Sequence, residues 1–221
     1  MRDSVSKIFL VDDDASVLKA LSRLLLSAGY EPIAYTSAKD FIERYQPNTR
    51  GCLVLDLSMP GITGLQLQEW LLQSDNPLPI IFLTGRGDIP SSVCAMKQGA
   101  VDFLTKPVND TDLLKAIQEA SRRERQTRKA RAELRAIQSR VATLTPRERE
   151  VLEHVITGQL NKQIAGDLGT VEKTIKVHRA RVMTKMGAHS IAELVRLAER
   201  AGIGRVPYSK PAQFRAPGPR L

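Results

Sequence analysis

The chain has 221 residues, two cysteines and a formal net charge of +9, a length that favours two compact units with separate cores. No apolar run approaches the roughly 20 residues of a membrane span and no signal-peptide core opens the chain, so the expectation is a cytoplasmic protein with no membrane contact. Residues 1–120 carry 11 Lys+Arg against 15 Asp+Glu, whereas residues 121–221 carry 22 against 9; a basic half of this kind suits nucleic acid first, an anionic surface second, with a merely solvated face as the plainer alternative.

In chain order, residues 7–11, 51–55, 80–84 and 101–105 are short, nearly continuous apolar runs, the pattern of strands covered on both faces, and residues 31–35 form a weaker fifth. Amphipathic segments at Ala15–Ala28, Ala38–Tyr45, Gly64–Gln73 and Ile89–Gln98 separate them. This alternation predicts an α/β doubly wound five-stranded parallel sheet, with its ligand site at the carboxyl ends of the strands. Trp70 falls beside Leu67 and Leu71 and reads as core packing, and Cys52 and Cys94 read as small buried hydrophobes rather than a disulfide.

A further helix starts near Asp110 with Leu113, Ile117 and Ala120 inward, and its spacing resumes at Ala130, Leu134, Ile137, Val141 and Leu144 beyond the stretch SRRERQTRKAR. One long helix, or a short coiled coil, is expected to link the units, an extended charged linker being the alternative. Short helices follow. Thr145-Pro146-Arg147-Glu148 is a capping box; Gly158 ends that helix; a second spans about Asn161 to Gly169; a third runs from about Val171 to Met186; Ser190 and Glu193 form another capping box. Residues 204–221, rich in proline and without period, read as a disordered tail.

Asp12, Asp13 and Asp14 follow the first strand, Asp56 ends the third, Thr84 the fourth, and Lys106 follows the fifth. In a parallel sheet all converge on one rim. Crowded carboxylates repel unless a hard cation joins them, and oxygen ligands suit Mg²⁺. A hydroxyl and an ammonium beside them suit a phosphoryl group, and Asp56 is the candidate acceptor. Asp14 reads as a helix N-cap.

The runs LVDDD, LVLDLSMPGITGLQL, FLTGRGD and GAVDFLTKPV, in that order over residues 5–122, resemble the receiver signature of two-component response regulators of the NarL/FixJ type. The resemblance implies Mg²⁺ on the Asp13 and Asp56 side chains and the Ser58 backbone carbonyl, with Asp12 acting through water. It implies that Asp56 takes a phosphoryl group from a partner sensor histidine kinase while Thr84 and Lys106 bind its oxygens. Phe103 stands at the aromatic switch position, Lys106-Pro107 at a cis dipeptide, and Ser58 and Arg86 where members tune phosphate lifetime. No turnover enzyme is implied.

On a helical plot of Val171–Met186, Ile175, His178, Val182 and Met186 face inward, while Lys173, Val177, Ala180 and Thr184 face outward, flanked by Thr174, Lys176 and Arg181. A short, basic outer face fits the major groove, with Lys173, Lys176, Arg179 and Arg181 to phosphates or guanine edges and Val177 to a thymine methyl. Residues 141–200 resemble the LuxR-type four-helix DNA-binding domain, which departs from its usual pattern at Val171, where a Ser or Thr cap is common; Thr170 is the substitute cap. The resulting expectation is a receiver at 5–122, a helical linker at 123–140 and an all-α helix-turn-helix domain at 141–203, with the helix-turn-helix at about 161–180. Double-stranded operator DNA is the expected partner, and a homodimer forms on phosphorylation or DNA binding. A small-molecule-sensing LuxR-type regulator would instead need a large apolar pocket in the N-terminal half, and a metal-dependent phosphatase would need a general acid.

Overall fold

The computed structural model describes residues 7–46, 49–73, 77–85 and 89–204; Arg86 and the tail from residue 205 lie outside them. Two compact units divide the chain, Met1–Lys129 and Ala130–Leu221.

The first unit is a five-stranded parallel sheet in the order β2-β1-β3-β4-β5. Its strands are β1 (Lys7–Val11), β2 (Glu31–Tyr35), β3 (Cys52–Asp56), β4 (Ile80–Thr84) and β5 (Asp102–Thr105). The helices are α1 (Ala15–Ser27), α2 (Ala38–Arg44), α3 (Gly64–Leu72), α4 (Ile89–Lys97) and α5 (Asp110–Ala142). Side chains alternate across a strand, so Phe9, Leu53, Leu55 and Phe82 pack with α2 and α3. Ile8, Leu10, Val54, Ile81 and Leu83 pack with α1 and α5 on the other face. β3 starts at Cys52 rather than Gly51. A Cβ on Gly51 would lie 2.2 Å from the Lys7 carbonyl oxygen, so the chain enters the sheet through a residue that must be glycine.

Two core expectations fail. Trp70 is 36% exposed; it lies at the rim of α3 with its ring edge-to-face against Tyr45, centroids 5.8 Å apart. Cys94 is exposed on α4 whereas Cys52 is fully buried, and both are free thiols.

α5 is one helix of 33 residues. Its start is capped by Asn109, whose Oδ1 accepts from the Thr111 N–H at 2.9 Å. Leu113, Ala116, Ile117 and Ala120 bury against the first sheet. The middle stretch is polar and braced by local pairs, Glu119 with Arg122 and Arg123 and Glu124 with Arg128, as expected of a solvated helix. Further along, Ile137 is buried in the core of the second unit.

The second unit adds α6 (Pro146–Ile156), α7 (Asn161–Asp167), α8 (Glu172–Met186) and α9 (Ile191–Arg200). Val151, Leu152, Ile164, Ile175, Val182, Met186 and Leu194 are fully buried between them. The Thr145/Glu148 capping box is complete. At α9 only half of the expected box forms: Ser190 accepts from the Glu193 N–H, but the Glu193 carboxylate takes the His189 N–H at 2.8 Å. α8 begins after Val171, which occupies the cap position with no side-chain bond, so Thr170 does not substitute.

Candidate functional site

β1 delivers Asp12 and Asp13 just past its last residue, β3 ends on Asp56, β4 on Thr84, and β5 is followed by Lys106. Because every strand runs the same way, these residues meet at one edge. Carboxylate oxygens of Asp12, Asp13 and Asp56 lie within 4.8 Å of one another. Lys106 Nζ sits 2.6 Å from Asp12 Oδ2 and 3.2 Å from Asp56 Oδ2. The Lys106 backbone N–H donates to the Thr84 carbonyl at 2.7 Å, which fixes the base of that side chain. Asp12, Asp56 and Thr84 are buried, while Asp13 and Ser58 are exposed. The Ser58 N–H lies 3.4 Å from Asp56 Oδ1.

Asp14 leaves this cluster. Its Oδ1 accepts from the Ser16 and Val17 amides as the α1 cap, which holds its carboxyl below the usual aspartate range. Burial pushes the Asp56 carboxyl upward, with the Lys106 ammonium pulling against it. Burial likewise works to lower Lys106, but Asp12 and Asp56 outweigh it and its ammonium is held above the ordinary lysine value. Three carboxylates against one ammonium leave the pocket net negative, and its outer carboxylate, Asp13, faces solvent beside a groove of about 660 Å³ lined also by Ser58, Met59 and Thr63.

α3 backs directly onto the acceptor strand. A Cβ on Gly64 would stand 2.5 Å from the Asp56 carbonyl oxygen, so the helix approaches this closely only as glycine. One turn on, the buried Gln68 donates from Nε2 to the Ala95 carbonyl of α4 at 3.1 Å. Phe103 is half-buried on β5 opposite Phe82, ring centroids 6.1 Å apart. Lys106-Pro107 is cis. The apolar hollow between α1 and Pro107-Val108 measures about 240 Å³, smaller than usual small-molecule sites of roughly 300–1,000 Å³.

In the second unit, Ile175, Val182 and Met186 are buried and His178 is half-buried. Lys173, Lys176, Val177, Ala180 and Arg181 are exposed on α8, and Thr174 is half-buried. Lys176 also pairs with Glu172 at 3.1 Å. Arg179 is different: it is half-buried and donates to Asn161 Oδ1 at 3.0 Å, so in this structure it ties α8 to the start of α7.

Four contacts have no local sequence signal. Arg140 donates to the Met186 carbonyl at 3.0 Å. Lys185 bonds both Glu148, at 2.6 Å, and the Thr143 carbonyl, at 3.0 Å. Glu133 pairs with Arg200 at 2.7 Å. The partners are 37 to 67 positions apart, and only the capping role of Glu148 was visible in the sequence.

Residues 8–118 match the family described as response regulator receiver domain, and residues 142–198 match bacterial regulatory proteins of the luxR family. Nodulation protein W of Bradyrhizobium diazoefficiens is 45% identical over 196 residues, 89% of this chain and 86% of that protein. Transcriptional regulatory protein FixJ of the same organism is 44% identical over 89% of this chain and 96% of its own length. Among solved structures, the response regulator StyR has a TM-score of 0.81 at 45% identity, covering 89% of this chain and all of that one. Full-length FixJ from B. japonicum has a TM-score of 0.56 at 44% identity, covering 90% and 98%.

Proposed function

The chain belongs to the two-component response regulators that join a receiver domain to a LuxR-type DNA-binding domain, and on that premise we propose that phosphorylation of Asp56 by a partner sensor histidine kinase switches its binding to operator DNA. The observation that carries this reading is the convergence of Asp12, Asp13, Asp56 and Lys106 on one edge of the sheet. The oxygen-only donor set fits Mg²⁺, which Asp13, Asp56 and the Ser58 carbonyl would hold, with Asp12 assisting through water. Bound there, the ion supplies charge neutralisation at the acceptor.

An Asp56 carboxylate oxygen attacks phosphorus; the new O–P bond replaces the N–P bond of the donor imidazole, whose nitrogen keeps the electron pair. Lys106, already aimed at Asp56, meets the charge on the phosphoryl oxygens, and Thr84 donates its hydroxyl to the same group. Phe103 then turns inward as Thr84 moves. The receiver spans 5–122, the helical linker 123–140 and the DNA-binding domain 141–203. Exposed Ile89, Val93 and Met96 on α4, spaced four and three apart, form a face on which two phosphorylated copies pair, matching a two-fold operator. Lys173, Thr174, Lys176, Val177 and Arg181 contact the duplex, with Arg179 joining them if it leaves Asn161.

The test is phosphorylation with Mg²⁺ and acetyl phosphate, followed by intact mass. Wild type gains one phosphate and Asp56→Asn gains none; a phosphorylated Asp56→Asn protein refutes the assignment.

A further inference from the structure

Beyond the luxR-family match, which starts at residue 142, the last turns of α5 grip the C-terminal end of α8. Arg140 caps the Met186 carbonyl, the last residue of that helix. Gly187 follows in the left-handed conformation, and a Cβ there would stand 3.0 Å from Arg140 Nη1, so the guanidinium seats where a side chain would begin. Lys185, one residue before Met186, reaches the Thr143 carbonyl and the buried Glu148 together. Ile137 lies in the same core as Val182 and Met186. A cation at a helix C-terminus satisfies orphan carbonyls and opposes the helix dipole. Arg140 and Ile137 thus tie the end of α8 to α5, while Lys185 ties it to Thr143, just past α5, and to Glu148 on α6.

We propose that Arg140 is a positioning residue for DNA recognition, the joint through which helix α5 sets the recognition helix according to the phosphorylation state of Asp56. The proposal rests on the functional reading above. α5 begins at Asp110, four positions after Lys106, and is unbroken to Ala142. On this proposal the route is α5 itself, which starts just after Lys106 and carries Arg140, the residue that holds the last carbonyl of α8.

The experiment uses the full chain and a duplex selected from a random pool by the acetyl-phosphate-treated protein. Affinity is measured with and without acetyl phosphate at fixed salt, for wild type, Arg140→Gln and Arg140→Lys. Wild type is expected to bind more tightly when phosphorylated, by a factor in the range of about 5–150. Arg140→Gln is expected to shrink that factor by about threefold to fivefold, the effect of one charged cap at a helix C-terminus, with unchanged phosphate incorporation by mass; Arg140→Lys restores part of it. If Arg140→Gln weakens both states equally, the residue is merely structural and the inference is overturned. Thr127→Pro, which interrupts α5 at an exposed position remote from the grip, covers the case in which Arg140→Gln fails to fold: it must lose the factor while still binding DNA, and retention of the full factor overturns the inference. A wild-type factor of one refutes the functional reading itself, whereas a larger factor insensitive to these variants refutes the inference alone.

Discussion

Glu148 does two jobs with one carboxylate, accepting from the Thr145 N–H at 2.9 Å and from Lys185 at 2.6 Å. The Lys185 bond, followed by the Thr145 amide, holds its carboxyl below the usual glutamate range. A carboxyl depressed by folding contributes stability that is fully present above its unfolded value of about 4.3 and is lost as pH falls through its folded value. Thermal melts between pH 3 and 7 should show Glu148→Gln less stable than wild type at neutral pH, by about 1–3 kcal/mol because Lys185 loses its charged partner, with the gap closing below pH 4.3. A gap independent of pH would contradict the role. At this scale the sequence told only part of the truth. Glu148 was legible as a cap because capping is local; its ion pair needs α8 folded back 37 residues away. Arg179 looked like one more cation on a basic helix, yet it lies four residues after buried Ile175, and that phase brings it against Asn161. Trp70 and Cys94 failed for the same reason: each sits one position from a buried neighbour, Leu71 and Ala95, where a 100° step decides between core and rim.

Elements were legible wherever a pattern repeated. β3 and β4 bury every residue, so their unbroken apolar runs identified them, and strand ends then placed Asp56 and Thr84 without further information. α4 is the ambiguous case, because only Ala95 is buried on it and its outward stripe of Ile89, Val93 and Met96 is as apolar as a core face. That stripe makes a prediction. Val93→Asp should leave the monomer folded and phosphorylated but weaken pairing of the phosphorylated protein roughly tenfold or more, since a buried unpaired carboxylate costs several kcal/mol. Sedimentation velocity on acetyl-phosphate-treated protein reads it directly, and undiminished dimer would place the pairing face elsewhere.

For the whole molecule the division of charge matters most. The basic excess lies after residue 120, in the part that holds α8, and duplex binding should therefore fall steeply with salt, each neutralised phosphate adding about 0.9 to the slope of log affinity against log salt. Lys173→Ala should weaken all duplexes alike and flatten that slope by about 1, whereas a loss confined to one sequence would make Lys173 a base reader. Sulfur chemistry divides just as unevenly. Of the chain's two thiols, Cys52 is sealed between strands and pushed up to about 12 by burial, which leaves it inert to maleimides, while Cys94 stands in solvent on α4. The natural protein thus carries one ready attachment point for a dye, on the helix that bears the apolar stripe, and the speed at which that dye attaches is a clock for when the helix is covered.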